Sequence, residues 1–283
     1  MSAPFELAYS PCPNDTYIFA ALTNGLLERA PPVDVVLDDV EALNAAARRG
    51  AYALTKASYG AIPYLTDRYR ILRSGGALGR GCGPLLVARP RNGRVPRLAN
   101  LDPQALIAIP GVLTTAFLLL RLALGRTPRA TEIRFDRIVG AVAAGEVDAG
   151  LIIHESRFTY RNAGLAPIVD LGAWWEEATG APIPLGAVLI RRDVDEPSAA
   201  ALQGAIRRSL HFARDREDAV MGYVRAHASE MDEAVMRAHI ALYVNEFTDD
   251  VGDDGRAAVE LLFERAAQAR FIPAEVRAEF VAA

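Results

Sequence analysis

Short apolar runs alternating with amphipathic segments organise the first two thirds of the chain. FELAYS (5–10) reads as a strand ending in a proline-rich turn, 11–13, after which Asn14 or Asp15 is expected to cap a helix reaching about residue 27. VDVVLDD (33–39) reads as a second strand, VEALNAAARRG as a helix stopped by Gly50, and YALTKAS (52–58) as a third strand. A glycine-rich stretch, RSGGALGRGCGPLLVARP (73–90), closes on the strand PLLVA. Then come the strand ALIAIPG (105–111) and a helix, LTTAFLLLRLALG (113–125), ending at glycine. TEIRF (131–135) and AGLIIHE (149–155) are further strands around a short helix, and LGAVLIRRD (185–193) is a late one. After Pro197 the spacing is helical, in four segments with the pattern of amphipathic helices laid over a sheet. Strand–helix alternation of this kind predicts a parallel α/β sheet.

The runs PLLVA and LGAVLI bracket a block with an α/β pattern of its own. An inserted domain is therefore expected. Residues 1–89 and 185–283 form a larger lobe, 90–184 a smaller one, and a ligand cleft lies between them. Residues 89–103, with Pro90 and Pro96, are the expected linker. The competing reading is one continuous doubly wound sheet.

Composition narrows the function. With 51% hydrophobic and 23% charged residues, the chain is globular without long disorder. A net charge of −4 with dispersed arginines carries no electrostatic footprint for nucleic acid, while a local pocket for a small anion stays compatible with it. The N-terminal segment lacks the basic and apolar regions of a secretory signal. The apolar run 116–124 is interrupted by Arg121 and falls short of the ~18 residues a membrane span needs. Cys12 and Cys82 are too few for a disulfide framework and lack metal-ligand spacing. A reduced, cytoplasmic protein with no membrane or nucleic-acid partner is expected. The apolar faces of the C-terminal helices suit a homodimer as well as they suit ordinary packing.

Candidate chemistry centres on a few residues. Lys56 is the single lysine against thirty arginines, which suggests a narrow site where a compact ammonium fits and a guanidinium fork does not. His154 ends an apolar strand, the place where open α/β sheets set ligands, and imidazole accepts a proton at neutral pH. Glu155 beside it would face the opposite side if the strand continued. Thr114 and Thr115 open a helix after Gly111, a ready anion site that is also an ordinary N-cap. SPCPNDT (10–16), with Asn14, repeats that strand–turn–helix device in the first lobe. Ser58 follows Lys56 and Ala57 at the end of a strand. The glycines Gly75, Gly76, Gly79, Gly81 and Gly83 match no phosphate-loop or dinucleotide pattern and read as tight turns near a hinge, bringing backbone amides or Arg80 to a ligand. Cys12 and Cys82 read as buried filler, Trp174 and Trp175 as surface packing, and His211, His227 and His239 as packing or surface residues.

Taken in order, SPCPNDTYIF, Lys56-Ala57-Ser58, RSGGALGRGCGPLLV, IPGVLTTAFLLL, IIHESRFTY and HIALYVNEFT resemble the 1,4-dihydroxy-6-naphthoate synthase family of the futalosine route to menaquinone. The resemblance covers nearly the whole chain. It implies a two-lobed, periplasmic-binding-protein-like (type II) α/β fold with a central cleft and C-terminal helices. It also implies a lyase that cleaves cyclic dehypoxanthinylfutalosine, a small-molecule carboxylate, to dihydroxynaphthoate and a three-carbon fragment, dihydroxyacetone. No cofactor or metal is implied. By resemblance His154 matches the catalytic base, and Lys56, Ala57, Ser58, Thr114 and Thr115 match substrate-binding positions. Readings of other classes are a chorismate dehydratase of the same fold and pathway, a non-catalytic carboxylate-binding protein, and the effector domain of a transcription factor.

Overall fold

A computed structural model describes residues 3–228 and 232–282. Eleven strands and eleven α-helices are assigned among them. The strands are β1 (Phe5–Tyr9), β2 (Val33–Leu37), β3 (Leu54–Ser58), β4 (Tyr69–Ile71), β5 (Ala77–Gly79), β6 (Leu85–Ala88), β7 (Ile107–Ile109), β8 (Ala130–Glu132), β9 (Ala149–Ile152), β10 (Ala166–Asp170) and β11 (Ile183–Arg191). The helices are α1 (Pro13–Thr23), α2 (Val40–Arg48), α3 (Thr115–Leu124), α4 (Ile138–Ala144), α5 (Ser156–Thr159), α6 (Leu171–Thr179), α7 (Glu196–Asp215), α8 (Glu217–His227), α9 (Glu233–Tyr243), α10 (Glu246–Asp249) and α11 (Gly252–Gln268).

Two sheets form, one per lobe, in place of a single continuous one. The first runs β2-β1-β3-β11-β4 with β5 also on β11, and the second runs β10-β6-β9-β7-β8. Neither is purely parallel, contrary to the expectation from alternation. β1 pairs parallel with β2 and β3, and β7 with β8 and β9, but β11 runs antiparallel to β3, β4 and β5, and β6 antiparallel to β9 and β10. The reason is the crossover. Strands of βα units end at the cleft, whereas β6 and β11 start there, each carrying the chain from one lobe toward the other. Both lobes thereby deliver the carboxyl ends of their parallel strands to one crevice, where such folds place ligands.

Residues 85–88, expected in the larger lobe, pair into the second sheet. Residues 89–103 join β6 to β7 within that same sheet, so they are not the linker between lobes. The chain crosses instead beside Gly83, which abuts Gly172 so closely that a Cβ built there would stand 2.1 Å from the Gly172 nitrogen.

Three apolar cores hold the fold. One, with Ala57, Leu86, Ile109, Leu119, Trp175 and Leu189, spans both sheets. A second packs Leu7, Ile18 and Val188 against Leu202 and Ile206 of α7 and Val220 of α8. The third, around Val87, Ile138 and Val142, belongs to the smaller lobe. Trp175, read from sequence as a surface residue, is instead 1% exposed and donates from Nε1 to the Pro182 carbonyl at 3.1 Å. After Pro197 the described residues hold five helices where four were expected, the short α10 being the addition.

Candidate active site

Segments from both lobes, both crossovers and the C-terminal helices line one cavity. Lys56, Ala57, Ser58, Thr114, Thr115, Asn14 and His154 all lie on its wall. Around them stand Ser10, Asp15, Pro84, Leu185, His239 and Tyr243.

His154 follows β9 in a left-handed conformation, φ 55°. A non-glycine residue there is uncommon and strained. The turn ends strand alternation, so Glu155 does not swing to the far face as a continued strand would require. Glu155 is buried at 6% exposure, and its Oε1 has no hydrogen-bond partner among the described residues. Its carboxyl, a ring nitrogen of His154 and the Cys12 sulfur lie within 4.8 Å of one another. Burial pushes the His154 imidazole below its usual value, while the charges of Glu155 and Asp15 push it partly back up. His154 is therefore neutral at pH 7 and able to take a proton. Phe135 packs at 4.9 Å between ring centroids, and the His239 ring stacks nearly parallel at 6.1 Å.

Cys12, His154 and Glu155 are the described residues that could hold a metal ion. Burial, reinforced by Glu155, holds the Cys12 thiol well above its usual pKa. The thiolate is the metal ligand, so coordination would first have to overcome that cost. The trio is better suited to surround a base than to seat a cation.

Lys56 sits in a narrow, buried place on the cavity wall, and its ammonium is already paired there. Its Nζ lies 2.8 Å from Asp15 Oδ1 and donates to the Gly75 carbonyl at 2.8 Å. Neither Asn14 nor Asp15 caps α1: the N-cap position is Cys12, with Pro13 opening the helix. Asp15 instead accepts from Ser10 Oγ at 2.8 Å and Asn14 Nδ2 at 2.9 Å. Because Asn14 spends its amide on Asp15, its Oδ1 faces Nε2 of His239 at 3.0 Å. That assigns the proton of His239 to Nε2 and leaves a lone pair on Nδ1, a buried atom with no partner among the described residues. Burial also pushes His239 well below the usual imidazole range, so it stays neutral.

Thr114 takes the N-cap role that the sequence offered, and both threonine hydroxyls are already engaged. Thr114 Oγ1 accepts from the Phe117 amide at 3.2 Å, a true N-cap, and donates to the Gly111 carbonyl at 2.8 Å. Thr115 Oγ1 donates to the Leu185 carbonyl at 2.6 Å and accepts from the Gly60 amide at 3.0 Å, tying α3 to the larger lobe. Each hydroxyl has one proton, and both are engaged. What the helix offers an anion is its first-turn backbone N–H groups at Thr115 and Ala116, which have no intrahelical acceptor. Ser58 Oγ accepts from Asn44 at 3.2 Å and keeps its own proton for a ligand. Arg80 bonds the Gly180 carbonyl at 2.9 Å and is not on the cavity wall, so the glycine run brings no arginine to the site.

His239 and Tyr243 were missed from sequence. They sit four residues apart on α9, one face of the helix, with ring centroids 4.6 Å apart. That spacing within HIALYVNEFT was the available signal, but nothing local ties it to a cleft built from residues 10 to 186.

Residues 5–268 match the family described as menaquinone biosynthesis. The chain belongs to that family. It is 53% identical over 262 residues to a 1,4-dihydroxy-6-naphthoate synthase of Thermus thermophilus, covering 92% of this chain and 93% of that one. A protein of the same name from Streptomyces coelicolor is 45% identical over 274 residues, covering 95% of each. Among solved structures, protein AF1704 of Archaeoglobus fulgidus superposes with a TM-score of 0.88 at 35% identity, covering 95% of this chain and 98% of that one. The alkanesulfonate-binding protein SsuA from Xanthomonas axonopodis pv. citri, at 16% identity and a TM-score of 0.73 with 96% and 95% covered, shares the two-lobed binding-protein fold. Among the described residues no helix is long and apolar enough to cross a membrane.

Proposed function

We propose that this member of the menaquinone family is a carbon–carbon lyase that cleaves cyclic dehypoxanthinylfutalosine to 1,4-dihydroxy-6-naphthoate and dihydroxyacetone, without a cofactor. The observation that carries the mechanism is a neutral, desolvated His154 on the same cavity wall as the α3 N-terminus. The substrate carboxylate meets the Thr115 and Ala116 amides, where the helix dipole favours negative charge. Ser58 donates to a second polar group, and Nδ1 of His239 accepts from a substrate hydroxyl. Lys56 holds Asp15 and, through Asn14, the orientation of His239.

His154 then removes a hydroxyl proton. The O–H electron pair becomes a carbonyl, the adjacent carbon–carbon bond breaks, and its electrons enter the ring that becomes the naphthalene diol. The imidazolium formed is stabilised by the buried Glu155 carboxyl and later returns its proton to product. Aromatisation drives the cleavage, and the enclosing lobes exclude water. In this reading the smaller lobe begins at about β6 and ends at about α6. The site is complete within one chain, so a cytoplasmic monomer suffices and a homodimer is not required.

The test is incubation of purified protein with the cyclic substrate in the presence of a chelator, following products by chromatography and mass. Dihydroxynaphthoate is expected. Intact substrate with folded protein, or dehydration of chorismate under the same conditions, would overturn the assignment.

A further inference from the structure

Glu41 stands at the start of α2 in the larger lobe, yet its carboxyl reaches the smaller one. Oε1 accepts from the backbone amide of Leu113 at 3.2 Å, and Oε2 from the Asn44 side-chain amide at 3.2 Å. It lies so flat against the loop before α3 that a Cβ built on Gly111 would be 2.2 Å from Oε2. Asn44 is fully buried and extends the contact. Its Nδ2 donates to Ser58 Oγ at 3.2 Å, and its Oδ1 accepts from the Ser58 amide at 2.9 Å. Two amide protons and one carbonyl are thus all engaged, a fully used side chain. One carboxyl thereby touches, directly or through a single amide, both the strand end carrying Ser58 and the loop leading into Thr114 and Thr115.

We propose that Glu41 is a positioning residue that locks the Ala57–Ser58 strand end of the larger lobe in register with residues 111–115 of the smaller lobe. This rests on the reading of those two segments as substrate-binding. A ligand gripped at both ends loses affinity when the grips drift relative to each other, whereas proton transfer to His154 does not involve Glu41. The lock therefore acts on binding rather than on chemistry.

Charge around Glu41 gives the lock a pH dependence. Burial raises its carboxyl to about 7; the Asn44 and Leu113 bonds oppose this, and Glu132 on β8 and Asp39 before α2 reinforce it. A group whose pKa is higher in the locked state favours locking fully below its free value, near 4.5, and loses that contribution as pH rises through about 7. KM of the wild type is expected to climb between those limits and level off above them.

The experiment measures Leu113 amide exchange without substrate, and KM and kcat with the cyclic substrate, in the full chain carrying Glu41→Ala or Glu41→Gln, with Ser58→Ala as control. In Glu41→Ala, exchange is expected to quicken and KM to rise, each about tenfold, the size of one hydrogen bond lost, with kcat nearly unchanged. Glu41→Gln keeps an acceptor and should exchange as the wild type does, with KM no longer varying over that pH range. Unchanged exchange in Glu41→Ala overturns the lock, and faster exchange with unchanged KM overturns its positioning role. If Ser58→Ala raises KM while Glu41→Ala does not, the site stands and the lock falls. If Ser58→Ala also leaves KM unaltered, the reading of the site itself has failed, and the Leu113 exchange rate still decides whether Glu41 holds the loop.

Discussion

Two ionisable neighbourhoods decide the chemistry at the residue scale. His154 is held neutral by burial, with Glu155 as the nearest opposing influence. Replacing Glu155 with Gln removes a charge that raises the imidazole, so the acidic limb of kcat/KM should move to lower pH, read from a pH–rate profile. A limb that stays in place would separate Glu155 from the base. Lys56 and Asp15 form a pair whose side chains are 9% and 5% exposed. At such burial, removing one partner strands the other, so Lys56→Ala should cost about 3–5 kcal/mol in denaturant unfolding. A loss under about 1 kcal/mol would mean that the pair is solvated as surface pairs are. Lys56 stood out in the sequence because of its rarity, and its narrow enclosure accords with a compact ammonium. Its partner did not stand out, because Asp15 after a proline-rich turn reads as an ordinary helix cap. His239 was illegible for a similar reason: its partner Asn14 is 225 residues away.

Among the secondary-structure elements, the start of α3 matters most. Thr114→Ala removes the cap of α3 and should lower stability by about 1 kcal/mol, while Thr114→Ser should retain it; thermal unfolding distinguishes the two. Gly83→Ala forces a methyl into the Gly172 backbone, where no flexible side chain can yield. It should cost about 1–3 kcal/mol or more by the same measurement and slow turnover by disturbing the crossover. Strands of βα units such as β1 and β9 were readable because each carries an apolar run bounded by turn residues. β4 and β5 were not, since each is three residues long and paired with the distant β11, so no local period announces them. β10 begins Ala-Pro and alternates poorly, being an edge strand whose register shifts against β6.

At the scale of the whole molecule, two sheets meet with their strand ends facing one crevice, and the C-terminal helices close it. The bracketing of one α/β block by two apolar runs is what suggested an inserted lobe. That residues 85–88 pair into the second sheet was hidden, because a crossover strand looks the same whichever sheet it joins. The antiparallel sense of β6 and β11 was equally hidden, since a strand's direction depends on its entry point and not on its composition. The apolar stripes of the last helices are largely spent within the chain: α7, α8 and α9 pack on α1, and α11 on β11. The arrangement sets one neutral imidazole on the same cavity wall as the first turn of α3. The most direct test is His154→Ala assayed for both binding and turnover of the cyclic substrate. An affinity close to wild type, an unchanged melting transition, and turnover lower by ~10²–10⁴-fold, the usual contribution of a general base, are expected. Turnover near wild type in that folded variant would contradict the role of His154 as the base.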